Sequence, residues 1–322
     1  MSENIVDLSI IIVNWNTRDI LWDCLKSVFD QTQDITFEVI VVDNASSDNS
    51  VKMVKSEFPQ VVLVENKENR GFAAANNQGM QIAKGRYVLL LNSDTIVLDG
   101  AIQKTLVFAD QHPEAAVVGC RVLNPDKSLQ PTCFMVPSLL NLFLSSSYLY
   151  KLFPRSRFWG RERMTWWDRD DVREVEVVTG CFMLVRKDAI SQVGMMDESF
   201  FMYAEETDWC YRFKKAGWNL LFTPDAQIVH LGGQSSKKVR SDMILQARAG
   251  ILYFIKKHYS YVKYILCCIL FSLHAFLRVP YWLFVSIVGT DKAYAKATMK
   301  TYLKGALYPL GGWRSLSCKK EG

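Results

Sequence analysis

Short apolar runs alternate with segments of helical periodicity through the first hundred positions. Leu8–Val13, Phe37–Val42, Val61–Glu65 and Tyr87–Leu91 are near-continuous runs rich in Val, Ile and Leu. Runs of that kind read as strands buried on both faces. Between them, Arg18–Phe29 and Gly71–Lys84 carry helical patterns. Ser46-Ser47-Asp48 reads as the N-cap region of a further helix ending near Phe58. Strand–helix alternation predicts a doubly wound α/β unit on a mainly parallel sheet. Ligands of such sheets sit outside the carboxyl ends of the strands. Here those ends are polar: Asn14-Trp15-Asn16, Asp43-Asn44 and Asn92-Ser93-Asp94. The pattern therefore places all three along one rim.

Further along, Ala101–Gln111 and Glu205–Ala216 read as helices. Ala115–Cys120, Val175–Val178, Cys181–Val185 and Leu220–Thr223 read as strands. Residues 131–173 are less regular, with Pro, Trp and Arg, and read as an insertion or acceptor-side loop. Tyr264–Gly289 is apolar apart from His274 and Arg278. Arg278-Val279-Pro280 is expected to split it into two pieces, each too short to cross a bilayer. Lys256, Lys257 and Lys263 flank one side; Lys292, Lys296, Lys300 and Lys304 flank the other. Lysines at every fourth position suggest a helix lying on a headgroup surface, or a re-entrant segment. The competing reading is two core helices of a soluble domain. The expected organisation is a catalytic domain over residues 1–240 and a helical, membrane-associating region over 241–322.

Composition sharpens this picture. The chain has 322 residues, 49% of them hydrophobic, which is ample for a large core. The net charge of +5 hides an asymmetry. From Lys237 to the C-terminus there are 15 basic and 3 acidic residues; the rest of the chain carries 23 and 30. An acidic body with a basic, apolar tail points to anionic lipid and away from nucleic acid. The eight cysteines contain no CxxC pair, so free thiols in a reducing compartment are expected. Met1–Asp7 is polar and Leu8–Val13 too short for an h-region, so no cleaved leader is expected.

Five clusters can carry chemistry. Asp94, at the end of a buried strand with Asn92 and Ser93, can hold a divalent cation that neutralises a diphosphate; the alternative is a turn cap. Asp43 can accept the imide N–H of a pyrimidine, with Asp48 five positions on fitting an N-cap better. In Asn69-Arg70-Gly71-Phe72-Ala73-Ala74-Ala75-Asn76-Asn77 the small residues let a helix N-terminus approach a ligand, and Arg70 can meet phosphate. Tight packing explains the alanines equally well. Glu205, Glu206 and Asp208 precede or open a helix, where one can act as general base or all can favour the helix dipole. His230 ends an apolar strand and can complete a metal shell around one carboxylate. Phosphate-binding P-loops, GxGxxG, HExxH and GxSxG elements are absent from the sequence.

Taken in order, these stretches resemble the family 2 glycosyltransferases of GT-A fold, and within them the bacterial rhamnosyltransferase-like branch. The matching stretches are Ile10–Asn16, Val41–Asp48, Asn69–Phe72, Leu91–Asp94, Thr179-Gly180 and Glu205–Asp208. The resemblance implies an inverting transfer from a dTDP- or UDP-sugar, dTDP-rhamnose by likeness, assisted by Mg²⁺ or Mn²⁺. It implies a lipid-linked saccharide acceptor at the cytoplasmic face of a bacterial inner membrane, in surface polysaccharide assembly. It assigns metal binding to Asp94 and His230 and base contact to Asp43. Donor binding falls to the rim of Asn14, Asp48, Arg70, Gly71, Asn76, Asn92 and Ser93. The catalytic base falls on Glu206, where the family has Asp, which leaves Glu205 and Asp208 as competitors. The family's first metal-site acid is Asn92 here. Trp209 is expected to stack on the acceptor. The rival classes are a sugar-1-phosphate nucleotidyltransferase, which would lack the carboxylate cluster at 205–208, and a non-catalytic carbohydrate-binding module.

Overall fold

The chain was examined as a computed structural model, which describes residues 6–232 and 240–307. Met1–Ile5, Gly233, Lys237 and Cys318 lie outside the described residues. The strands are β1 (Leu8–Asn14), β2 (Phe37–Asp43), β3 (Val62–Glu65), β4 (Tyr87–Asn92), β5 (Thr95–Val97), β6 (Ala115–Leu123), β7 (Arg173–Glu174), β8 (Phe182–Arg186) and β9 (Asn219–His230). The helices are α1 (Arg18–Gln31), α2 (Ser50–Glu57), α3 (Phe72–Ile82), α4 (Ala101–Gln111), α5 (Leu139–Ser147), α6 (Lys187–Val193), α7 (Glu205–Lys215), α8 (Arg240–His258), α9 (Tyr261–Val288) and α10 (Lys292–Leu307).

One sheet runs in the order β3-β2-β1-β4-β8-β6-β9-β5, with β7 beside β9. The first four strands are mutually parallel. β8 is antiparallel to β4 and β6, so the sheet is mixed beyond the parallel half. Successive residues of each central strand feed opposite cores. Ile11, Ile40, Val42, Val88 and Leu90 join one; Leu8, Ile10, Ile12, Val39, Val41 and Leu89 join the other. The second core is covered by α1, α2 and α4. Burial on both faces is why these strands read as unbroken apolar runs. The register pairs Asn14 with Asp43 and Val13 with Asn92, so the three polar strand ends do share one rim.

Three elements differ from the sequence expectation. β9 is 12 residues long and continues through Pro224-Asp225, absorbing them at a register shift against β6. Val175–Val178 stays off the sheet's main path, with Val177 bridging Phe134. α9 runs unbroken for 28 residues with Pro280 inside it, correcting the expected split at Arg278-Val279-Pro280. A proline removes one backbone N–H and crowds the preceding turn, yet a helix braced by neighbours can pass through it. α9 is braced by α5, α8 and α10. It is the one helix among the described residues long and apolar enough to cross a membrane.

The C-terminal helices share the catalytic half's core. Ala249, Leu252, Phe254 and Ile255 of α8 and Cys267, Cys268 and Phe271 of α9 pack in one cluster with Trp209, Phe213 and the sheet. Gly250 sits where α8 crosses the loop before α7; a Cβ there would run into the Tyr203 carbonyl. The 131–173 segment is ordered around Arg169. Its buried guanidinium donates to the carbonyls of Thr132, Arg163, Met164 and Trp167. The seven described cysteines are all free and buried.

Candidate active site

A pocket of about 310 Å³ opens at the carboxyl rim of the sheet. Its walls include Trp15 and Asn44 at one end, Gly71 and Phe72 at the head of α3, and Asn92, Ser93 and Asp94 after β4. Thr179-Gly180, Tyr203, Glu205, Glu206 and His230 complete them. Of the residues singled out in the sequence, the structure brings Gly71, Asn92, Ser93, Asp94, Glu205, Glu206 and His230 together here.

Asp94 and His230 meet because β5 pairs antiparallel with β9, in a register that sets Thr95 opposite His230. The Leu231 amide donates to the Asp94 carbonyl at 2.9 Å and fixes that crossing. Asp94 Oδ1 lies 3.1 Å from His230 Nε2. The far side of the ring is held by Gln130. Gln130 Nε2 donates to the His230 carbonyl (3.1 Å) and to Asn124 Oδ1 (2.8 Å), which orients its Oε1 as an acceptor. That Oε1 lies 2.6 Å from His230 Nδ1. Its Nε2 is the ring nitrogen turned toward Asp94, which sets two potential metal donors side by side. Ligands at right angles on a metal with bonds of about 2.1 Å lie roughly 3 Å apart. The donor set therefore fits a divalent ion completed by diphosphate oxygens and water. No group of three or more His, Cys, Asp or Glu side chains suited to a metal occurs among the described residues. Asn92 Nδ2 lies 3.3 Å from His230 Nε2, a polar neighbour in the place of the family's first acid.

Two carboxylates, Glu205 and Glu206, also line the pocket. Tyr203 and Ala204 both adopt left-handed backbone, φ 71° and 72°, and turn the chain sharply into α7. Glu205 is buried, with Oε2 lacking a hydrogen-bond partner. Burial, then the charge of Glu206, pushes the Glu205 carboxyl well above the usual range. Glu206 is partly exposed at the pocket wall, and burial raises it as well. Two adjacent carboxyls in a poorly hydrated place resist double ionisation. Both carboxyls are thus shifted toward the protonated form, the deeper Glu205 the more strongly, and Glu206 is the one that reaches the pocket wall. Gly180 faces them: a Cβ there would touch the Phe72 ring at 3.3 Å and approach Glu206 Cβ at 4.0 Å.

Seven expected residues lie outside the pocket lining. Asp43 is buried, its Oδ2 accepting from Asn14 Nδ2 (2.8 Å) and its Oδ1 from the Ser46 amide (2.8 Å). Asn14 and Asp43 thus brace the rim from behind, and Trp15 and Asn44 present its surface. Asp48 accepts from the amides of Arg18 and Ser50, tying the starts of α1 and α2. Arg70 points toward Glu198 at 3.9 Å. Asn76 donates to the Phe72 carbonyl within α3. Asp208 is fully buried on the far face of α7, held by Arg212 (2.8 Å), Lys257 (2.9 Å) and His258 (2.6 Å). Trp209, expected at the acceptor, is fully buried and donates to the Gly194 carbonyl. The core takes it up beside Phe213, whose ring lies 5.0 Å away.

Gln130 and Thr132 line the pocket or orient its groups without being singled out by the sequence pattern. Gln130 and His230 are 100 positions apart, and nothing local signals their contact.

A Rossmann-like half-sheet extended by antiparallel strands, with a carboxylate–imidazole pair at its rim, is the GT-A architecture of glycosyltransferases. A mannosyltransferase from Pyrobaculum calidifontis, solved with GDP-Man and Mn²⁺, superposes with TM-score 0.56 at 15% identity, covering 96% of this chain and 82% of that one. GalNAc-T7, solved with UDP, GalNAc and Mn²⁺, gives TM-score 0.58 at 15% identity, covering 94% and 56%. At that identity the likeness speaks for the fold alone. Residues 9–194 match the glycosyl transferase family 2 model, and the chain belongs to that family of glycosyltransferases. It is similar to the N-acetylglucosaminyl-diphospho-decaprenol L-rhamnosyltransferase of Mycobacterium tuberculosis, 29% identical over 206 residues, 60% of this chain. The match spans just under two thirds, 66%, of that relative's length. The low-salt glycan biosynthesis hexosyltransferase Agl10 of Haloferax volcanii is 27% identical over 218 residues, 66% of this chain and 64% of the relative.

Proposed function

We propose that the chain transfers a sugar, rhamnose by likeness, from a dTDP- or UDP-linked donor to a hydroxyl of a lipid-linked saccharide, with inversion. The observation that carries this reading is the pocket itself, which the Asp94–His230 pair and Glu206 line together. The nucleotide lies along the rim at Trp15 and Asn44. Its diphosphate reaches the backbone at Gly71 and the Asp94–His230 pair. Those two side chains would hold Mg²⁺ or Mn²⁺, which supplies positive charge for the departing diphosphate. Glu206 takes the acceptor's hydroxyl proton as its oxygen attacks the anomeric carbon. The buried, protonated Glu205 keeps that end of the site from carrying two negative charges. Thr179-Gly180 leaves room for the sugar because no side chain intrudes at 180.

Purified full-length protein, offered dTDP- and UDP-sugars with Mn²⁺ and a lipid-linked acceptor, should release the free nucleoside diphosphate. Asp94→Ala should cut that release about 100-fold or more. Release unchanged in Asp94→Ala would overturn the metal assignment. Release of pyrophosphate from dTTP or UTP offered with a sugar 1-phosphate would indicate nucleotidyl transfer instead.

The membrane reading rests on the outer face of the C-terminal helices. Val262, Leu266, Ile269, Leu273, Phe276 and Leu277 form an exposed stripe along α9, continued by Leu283, Phe284 and Ile287. Lys292, Lys296, Lys300 and Lys304 are exposed along α10, at every fourth position. An apolar stripe rimmed by cations suits an anionic bilayer met from the cytoplasmic side. The protein should co-sediment with vesicles containing phosphatidylglycerol, and less so at high salt. Failure to bind them would remove the membrane from the proposal.

A further inference from the structure

A second polar cluster lies away from the pocket, where α5, α8, α9 and α10 converge. Arg248 of α8 has its Nη1 buried with no hydrogen-bond partner. Its guanidinium sits over the rings of Phe271 and Tyr302, 5.4 Å from each centroid. Arg278 of α9 lies 4.2 Å over the ring of Tyr148, at the C-terminal end of α5. His274, one turn before Arg278, stacks on the same tyrosine at 6.0 Å, and its Nε2 is buried without a partner. Burial and the two guanidiniums push His274 down to about 4.

Neither arginine forms a salt bridge among the described residues. Arg169 offers a contrast within the same chain: it is more deeply buried, and carbonyls take up its donors. Aromatic faces attract a guanidinium but leave its in-plane N–H groups unanswered. Two such cations side by side, each partly buried and with donors open, form a receptor for an anion with several acceptor oxygens. The exposed apolar stripe of α9 begins on the same helix.

We infer that Arg248 and Arg278 bind a phosphate group, presented by a membrane lipid whose chains lie along α9. Both arginines donate to the phosphate oxygens while Tyr148 keeps the Arg278 fork flat. This site is separate from the donor pocket, and its occupancy does not depend on the sugar-transfer reading.

The test uses the full chain in EDTA, so that the Asp94 site holds no metal to bind phosphate. Thermal shift and calorimetry are run with dihexanoyl phosphatidic acid below its micelle concentration, and separately with inorganic pyrophosphate. Arg248→Met and Arg278→Met, which keep much of the stem's packing, are compared with the wild type. Either variant should weaken the phosphatidic acid complex at least tenfold. Both should fold, and Arg248→Met should melt no lower than the wild type without ligand, since it removes an unanswered charge. Arginine-dependent binding of the lipid over pyrophosphate supports the lipid source. Arginine-dependent binding of pyrophosphate alone retains the phosphate site and overturns the lipid. Absence of binding, or binding unchanged in both variants, overturns the site.

Discussion

Glu206→Gln should lower kcat by about 10²–10⁴-fold while leaving donor affinity within a few-fold. The amide keeps the size and polarity of the side chain but cannot take a proton. It therefore removes the step that makes the acceptor hydroxyl nucleophilic and leaves the Asp94 side of the pocket untouched. Single-turnover rates with saturating donor, set beside donor binding by calorimetry, separate the two effects. A kcat within threefold of wild type would end the assignment. Because burial raises the Glu206 carboxyl, the acid limb of the wild-type kcat profile should lie above the ordinary carboxylate range.

Glu205→Gln supplies the contrast. Glu205 is held protonated by burial and by Glu206, so its folded-state pKa lies above the unfolded value of 4.5. Its contribution to stability is complete below that value and is lost as pH rises through the raised folded pKa. Glutamine cannot ionise and escapes the loss. Glu205→Gln should accordingly gain Tm over the wild type at pH 8 and show no gain at pH 4, with catalysis retained.

Asp208→Asn should cost about 3–5 kcal/mol of folding stability and little of the chemistry. The Asp208 carboxylate is fully buried and answers Arg212, Lys257 and His258 at once. An amide of the same shape would leave three basic groups converging on a neutral centre. Lys257 also pairs with Asp197 at 2.6 Å, so the cluster ties α8 both to α7 and to the loop before it. Urea denaturation measures the loss. Below the variant's unfolding range, its kcat should stay within an order of magnitude of wild type. The reverse outcome, normal stability with catalysis abolished, would make Asp208 the base after all.

The two carboxylates were indistinguishable in the sequence, two positions apart at the head of one helix. What separates them is rotation: two residues of α-helix turn roughly 200°, enough to send one to the pocket and the other to the core. The parallel half-sheet was legible because burial on both faces leaves its mark in every residue of β1, β2 and β4. The antiparallel extension was less so. β5 has three residues, too few for a periodicity, and β9 is interrupted in pattern by Pro224 yet continuous in space. α9 was obscured by Pro280, whose tolerance depends on neighbouring helices that no local pattern announces. The rim was read correctly as a place, but not in its division of labour. Asn14, Asp43, Asp48 and Asn76 have the polarity of ligand contacts, and the structure engages each in an internal hydrogen bond. Sequence records the polarity of a side chain; whether its partner is a ligand or the chain itself is settled by contacts such as Gln130–His230, across a hundred positions.

Gly250 gives that long-range architecture a mechanical meaning. With no side chain between them, the α8 backbone rests directly on the carbonyl of Tyr203, within the left-handed pair that launches Glu205 and Glu206. The same three-helix layer carries the exposed apolar stripe of α9 on its outer side. A tilt of that layer would press on the turn that carries Glu206, with nothing compressible in the path. Even an alanine at 250 would act as a wedge, lifting the layer away or displacing Glu206 by about the width of a methyl group.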